Sequence, residues 1–337
     1  IDSIKPLVSI IRPQNTSYNL IQSQLNYSVS DTNLQTCWYS TDNGQTNITI
    51  ICGQNVTGLM SNEGSNTWNV YANDSAGNFN SSKITFFVDS VFPLISFGAG
   101  TENNNSIKSQ SFMFVNVSAF EINEANISFS LYNNSGLINE SIYTDGRRTI
   151  NWTGLNDGTY RYNISIRDSV NNYNSTETRT ITLDTPAPSL GIISPQNISY
   201  NNASILMNIS SNGNIWFYNG TANESYNAPV YRTFSEGTHT LIAYANDSAG
   251  NINFSSVVFF VDSIVPSISF GAGTNANGSV INYNSIFVNV GVIEINFANI
   301  SFYLYNSTGL INESIYIDGR RIINWIGLND GTYFYNV

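Results

Sequence analysis

TYRYNISIRDSVNN, residues 159–172, decides the fold. Tyr160, Tyr162, Ile164 and Ile166 recur at every second position, and Thr159, Arg161, Asn163, Ser165 and Arg167 alternate with them. Successive side chains of an extended strand point to opposite sides, so this period predicts one face toward a core and one toward solvent. The run closes on Asp168-Ser169, then Val170-Asn171-Asn172. Asp and Asn there supply the turn chemistry of a hairpin into a final strand.

The same frame returns elsewhere. Trp68, Val70 and Ala72 precede DSAGN after Asp74, and Leu241, Ala243 and Ala245 precede it after Asp247. Helical periodicity is absent, and turn signals recur every 8–12 residues or so, which predicts an all-β sandwich. The whole chain is also a repeat. PLISFGAGT from Pro93 returns as PSISFGAGT from Pro266, and LYNNSGLINESIYTDGRRTINWTGLNDGTY from Leu131 returns from Leu304 with few changes. YANDSAGN recurs at Tyr71 and Tyr244, and IIRPQNTSYN at Ile10 is answered by IISPQNISYN at Ile192. A fixed repeat marks an array, and arrays serve spacing, mechanical or display roles.

Each repeat divides again. FFVDSVFP around Asp89, ITLDTPAP around Asp184 and FFVDSIVP around Asp262 end a strand on Asp and follow it with Pro, and IDSIKP at the start fits the pattern. Pro restricts φ and removes a donor, so it terminates the strand and stiffens the connection. The junctions predict four domains: 1–89 (residues 1–3 being the tail of a preceding junction), 90–184, 185–262 as a repeat of the first, and 263–337 as a repeat of the second with its last strand missing. Ile1 falls inside a junction motif and Val337 inside a strand, so the sequence reads as a window on a longer chain, a string of beads with short linkers. Sandwiches of roughly 35–45 Å each would extend four units to about 150 Å.

The 337 residues are 13% aromatic but only 10% charged, with a net charge of −11. Phosphate neutralisation needs clustered Lys and Arg, so a nucleic-acid partner is excluded. No apolar run approaches the ~20 residues of a membrane span.

LNDGTY at Leu155 and Leu328, SEGTH at Ser235, and DSAGN followed by a strand and V-D-x-x-x-P resemble the tandem immunoglobulin-like repeats of bacterial and archaeal surface proteins. The resemblance implies antiparallel immunoglobulin-like sandwiches of about seven strands in a secreted protein extending from a cell, and the Asn-rich, Lys-poor style resembles archaeal sequences. Asn66 and His239 stand where Tyr160 and Tyr333 stand, so a tyrosine-corner bond is expected only in the second and fourth domains.

The strongest chemical signal is Asn-x-Ser/Thr, with 25 sequons among 52 Asn. Roughly 11 would follow from Ser/Thr frequency alone. Candidate acceptors are Asn15, Asn26, Asn47, Asn55, Asn116, Asn126, Asn133, Asn139, Asn163, Asn174, Asn197, Asn208, Asn219, Asn223, Asn277, Asn299, Asn306 and Asn312. N-linked glycans would then replace charge as the solubilising layer and shield strand edges. The alternative is accidental sequons in an Asn/Ser-rich chain.

Cys37 and Cys52 flank a hairpin turning at Asn43-Gly44, and read as a local disulfide formed outside the cell. Free thiols or a link to another chain are the alternatives. Asp74 with Asp89 and Asp247 with Asp262, joined by Glu121 and Glu294, are weak calcium candidates between domains, against the simpler role of turn capping. His239 lies on the inward phase of its strand and reads as a core residue. With one His and two Cys no triad or zinc cluster can recur in each repeat, so no enzyme activity and no catalytic residue is expected. Arg147-Arg148 recurs as Arg320-Arg321, expected either to pair locally with Asp157 and Asp330 or to form an interface with a neighbouring chain.

The sequence therefore predicts a non-catalytic, N-glycosylated, extracellular repeat segment of a surface filament, stalk or surface layer. Its expected partners are copies of itself. Two rivals stand beside it: an adhesin binding a host or neighbour-cell glycan or protein through loops, and a spacer on an exported enzyme.

Overall fold

A computed structural model describes residues 1–218 and 220–337; Asn219, a candidate acceptor, lies outside the described residues. The chain forms two compact units, 1–186 and 187–337. Every regular element among the described residues is a strand, and no helix is long and apolar enough to cross a membrane.

The first unit holds two hydrophobic cores, each between two sheets. In the N-terminal sandwich, Leu7–Arg12, Gln24–Ser30 and Val56–Thr57 form a three-stranded sheet. The facing sheet runs Ser17–Tyr18, Phe79–Val88, Gly64–Asp74, Leu34–Ser40, Ile48–Ile50. The first strand changes sheets: its pairing shifts register between Ile10 and Arg12, and Ser17–Tyr18 then pairs in parallel with Phe79–Val88. That crossing lets one short segment cap one edge of each sheet.

The second sandwich repeats this plan. Thr149–Thr153, Phe112–Phe120 and Leu94–Phe97 face Ser106–Lys108, Arg179–Leu183, Gly158–Asp168, Glu124–Asn133 and Gly136–Tyr143, with Tyr173–Ser175 paired to Gly158–Asp168. The diagnostic stretch is the central strand of that larger sheet. Tyr160, Tyr162, Ile164 and Ile166 are buried, and none of the intervening residues is. Fully burying such a side chain contributes roughly 1.5–3 kcal/mol, which is why the alternation fixes which face turns inward.

The second unit contains two further cores. In one, Leu190–Ser194, Ser204–Ser211 and Val230–Thr233 face Ser199–Tyr200, Ile252–Val261, Gly237–Asn246, Asn214–Tyr218 and Asn223–Tyr226. In the other, Ser267–Phe270, Ser285–Ile293 and Ile322–Ile326 face Gly309–Tyr316, Ile300–Asn306 and Phe334–Asn336. The fold is all-β, built of immunoglobulin-like sandwiches in tandem.

The hairpin turns explain the recurrent Asp-Ser. Asp168 Oδ1 accepts the N–H groups of Val170 (2.9 Å) and Asn172 (2.8 Å), and Asp247 Oδ1 accepts those of Ala249 and Asn251 (both 2.9 Å). The fourth turn residue has positive φ: Gly77 +86°, Asn171 +72°, Gly250 +89°. Gly and Asn are the residues that adopt this left-handed backbone at least cost.

The corner bond is present in all four sandwiches, not two. Tyr160 Oη donates to the Asn156 carbonyl at 2.9 Å and Tyr333 Oη to Asn329 at 3.0 Å. Asn66 Nδ2 donates to Asn62 at 2.7 Å, and His239 Nε2 lies 2.7 Å from the Ser235 carbonyl. What the corner needs is a side chain that donates four residues back, and amide and imidazole meet that need as well as phenol.

Candidate functional site

The chain's distinctive polar chemistry gathers at the start of each sandwich, around the junction motifs. In the first unit the linker after Asp89 is held from both sides. Glu63 of the first sandwich accepts Ser90 N–H at 3.0 Å and also the Ser90 hydroxyl. From the second sandwich, Asn172 Nδ2 donates to the carbonyls of Asp89 (2.7 Å) and Val91 (3.2 Å), Asn123 Nδ2 to Asp89 Oδ2 (2.9 Å), and Asn174 Nδ2 to the Pro93 carbonyl (2.8 Å).

The pattern repeats at the other junction motifs. Asn33 Nδ2 donates to Asp2 Oδ2 at 2.8 Å, Asn78 Nδ2 to the Asp2 carbonyl at 3.1 Å, and Asn80 Nδ2 to the Pro6 carbonyl at 2.8 Å. In the second unit Asn253 Nδ2 donates to the Pro188 carbonyl at 2.9 Å, and Glu236 grips Ser263 as Glu63 grips Ser90. Asp157 accepts the N–H and hydroxyl of Thr185 at 3.0 and 2.9 Å. Asp89 and Asn172 are buried, so the bond from Asn172 to the Asp89 carbonyl is desolvated and its loss would leave groups unsatisfied, whereas the Glu63, Asp157 and Glu236 contacts are exposed.

The acidic candidates group differently from the expected pairs. Asp89, Glu121 and Asp168 place one carboxylate oxygen each within 4.8 Å of one another, and so do Asp2, Asp31 and Asp74. Asp74 and Asp89 do not meet, because Gly64–Asp74 and Phe79–Val88 are antiparallel, with Gly64 opposite Val88. The two residues therefore sit at opposite ends of the sandwich. Asp247, Asp262 and Glu294 enter no such group among the described residues. Each group offers only hard oxygen donors and so could hold a cation such as calcium. Bonds inside the turns already engage them: Asn78 Nδ2 donates to Asp74 Oδ2 at 2.7 Å, and Asn172 Nδ2 to Asp168 Oδ2 at 2.6 Å. The Asn78 bond, followed by backbone donors and opposed by burial, holds the Asp74 carboxyl below the ordinary carboxylate value; Asn251 does the same for Asp247.

Cys37 and Cys52 form a disulfide with Cα atoms 5.1 Å apart. The arginine pairs do not reach Asp157 or Asp330. Arg148 pairs with Glu124 at 2.6 Å, half-exposed Arg147 lies over Tyr143 and 3.6 Å from Asp145, and Arg320 repeats this with Tyr316 and Asp318. Asp157 is instead committed to the linker at Thr185, which removes it as a partner. Arg321 stacks on Phe297 with Nη1 buried and unpaired. His239 is half-buried between Phe234 and Phe259, 5.1 and 5.5 Å from their ring centroids.

None of the seventeen described sequon candidates is buried. Asn15, Asn47, Asn55, Asn139, Asn197, Asn223, Asn277, Asn299 and Asn312 are exposed; Asn26, Asn116, Asn126, Asn133, Asn163, Asn174, Asn208 and Asn306 are half-buried. Asn116 donates its amide to the Ala99 carbonyl at 2.9 Å, and Asn174 is one of the linker ties, so sugars on either would crowd bonds already made. The outer face of the larger sheet in the first sandwich was not singled out in the sequence. Trp38, Tyr71 and Phe79 form a triangular cluster of near-parallel rings on the solvent side of that sheet, with centroids 5.6–6.0 Å apart. Cys37 and Tyr39 are buried, so alternation turns Trp38 outward.

No family model matches the chain, and no curated protein matches it. Solved structures do resemble it. One is a tetra-tandem repeat in the extending region of a large adhesion protein, 16% identical, covering 93% of this chain and 90% of that one, with a TM-score of 0.34. Another is the ICAM-5 D1–D4 ectodomain fragment, 10% identical, covering 99% and 98%, with a TM-score of 0.42. A third is the fibronectin(III)-like modules of CbhA from Clostridium thermocellum, 16% identical, covering 50% and 94%, with a TM-score of 0.33. The architecture assigned here rests on the chain's own sheet order and cores.

Proposed function

We propose that this chain is a non-catalytic spacer segment of an extracellular, N-glycosylated surface protein, a filament, stalk or surface layer of archaeal type. The observation that carries the reading is the linker hold. Glu63 from one sandwich and Asn123, Asn172 and Asn174 from the next converge on Asp89–Pro93, so the linker between consecutive domains of the first unit is held by bonds from both, the Asn172 bond to the Asp89 carbonyl being buried. A chain whose task is spacing needs such coupling, because a free linker would let neighbouring domains reorient at little cost.

The sequon density and the disulfide support an exported location. The one histidine is tied to Ser235 and packed against two phenylalanines, which supports a non-catalytic role. Electron cryo-microscopy of native cell surfaces tests the proposal. A regular lattice or filament built from these domains, with sugar density on sequon asparagines, is the expected result. Isolated chains ending in a bare ligand-binding tip would reject it in favour of an adhesin.

A further inference from the structure

The first and third sandwiches carry corresponding groups of three aromatic rings on their outer sheet faces. In the first sandwich, Trp38 lies opposite Tyr71 at 5.6 Å with planes 16° apart, and Phe79 closes a triangle of rings 5.9 Å from Trp38 and 6.0 Å from Tyr71. In the third, Trp216 lies opposite Tyr244 at 5.5 Å with planes 8° apart, and Phe254 follows. Phe79 is 46% and Phe254 68% exposed. On a chain with so little charge, an uncovered three-ring patch on a sheet face invites unwanted pairing.

On its edge-strand side each group of rings is bordered by a sequon. The edge strand Ile48–Ile50 sets Thr49 opposite Trp38, and Asn47 of Asn47-Ile48-Thr49 lies two residues earlier, on the same phase. The edge strand Asn223–Tyr226 sets Ser225 opposite Trp216, and Asn223 of Asn223-Glu224-Ser225 lies two residues earlier, opposite Tyr218. Diagonal neighbours of this kind are roughly 7–8 Å apart, within reach of a sugar on the asparagine. Asn47 and Asn223 are both exposed.

The second and fourth sandwiches make the contrast. Ser128 and Ser301 hold the places of Trp38 and Trp216, opposite Ile142 and Ile315. Their edge-strand sequons are shifted by one residue: Asn139 lies opposite buried Leu131 and Asn312 opposite buried Leu304, and each accepts a core-side indole N–H, from Trp152 at 2.9 Å and Trp325 at 2.7 Å. Sequon phase and aromatic group therefore change together.

We infer that the N-linked glycans of Asn47 and Asn223 lie across the Trp38–Tyr71–Phe79 and Trp216–Tyr244–Phe254 groups, the apolar C–H face of a pyranose packing on the rings. This rests on the reading of the chain as N-glycosylated. Packing of this kind buries apolar area on both partners without requiring a charge on either.

Of five Trp, Trp68, Trp152 and Trp325 are buried and only Trp38 and Trp216 are half-exposed, so acrylamide quenching of tryptophan fluorescence reports on the two groups. The full chain carrying its glycans is compared with Asn47→Gln/Asn223→Gln and with Asn15→Gln/Asn197→Gln, while glycopeptide mass spectrometry scores occupancy. The expected result is sugar at both positions and a quenching constant that roughly doubles in the first variant and holds in the second. Sugar at both positions with unchanged quenching overturns this inference alone. Bare asparagines at both overturn it together with glycosylation of these sites. An equal rise in both variants also overturns it, since the shielding would not be local.

Discussion

At the residue scale, side-chain acceptors set local geometry and its pH dependence. Asp42 Oδ1 accepts the Ser40 hydroxyl at 2.6 Å and Thr46 N–H at 2.8 Å, and those bonds hold its pKa at about 2. Asp74 is lowered by Asn78. A carboxyl whose folded pKa lies below its unfolded value near 4 contributes stability above that value and loses it as pH falls through the folded one. The first sandwich should therefore melt at lower temperature as pH drops from about 4 toward about 2. Asn78→Ala should flatten that dependence; thermal melts at several pH values check both.

Buried joint residues belong to the same scale. Asn172 is buried and donates to Asp89, Val91 and Asp168. Asn172→Ala should cost about 1–3 kcal/mol and expose the 89–93 linker, read by denaturant unfolding and by faster proteolytic cleavage there. Trp68 is fully buried against Phe86 with its indole N–H unpaired, so it acts by packing alone. Trp68→Ala should cost about 3–5 kcal/mol, measured by the same unfolding experiment. The inward phase of Trp68 was legible in the sequence. That Asn66 and His239 would make the corner bond was not, because the bond depends on reach rather than residue type.

At the scale of elements, hairpins carry the local differences between repeats. The disulfide ties Leu34–Ser40 to the segment after Ile48–Ile50, across a separation of 15 residues. On the chain-entropy view it contributes about 3 kcal/mol. Reduction should lower the melting transition of the first sandwich and leave the third, which has no cysteine, in place; calorimetry with and without reductant checks this. Strand existence and facing were readable from alternation. The edge-strand register was not, since the turn geometry sets it and a slip of one residue separates Asn47 from Asn139 in facing.

For the whole molecule, the duplicated sequence is matched by duplicated joints and aromatic groups. Intact mass should exceed the bare 37.2 kDa in material from an N-glycosylating cell, by the sum of the attached sugars. A mass at the bare value would end the glycoprotein reading. Arg147 and Arg320 are exposed, each stacked on a tyrosine and 3.6 Å from an aspartate of its own turn, and in the interface reading they meet a neighbouring copy. Arg147→Ala with Arg320→Ala should weaken self-association in sedimentation; unchanged association rejects an interface there.

Period-two alternation, the repeat and the Asp-to-Pro junctions sufficed to reach an all-β tandem array, because burial of alternate side chains and strand termination at proline are local effects. The carboxylate groups, the linker ties and the aromatic groups needed the packed structure. Asp89, Glu121 and Asp168, like Asn172 and Val91, are far apart in sequence, and only antiparallel pairing and the closing of one sandwich against the next bring them together.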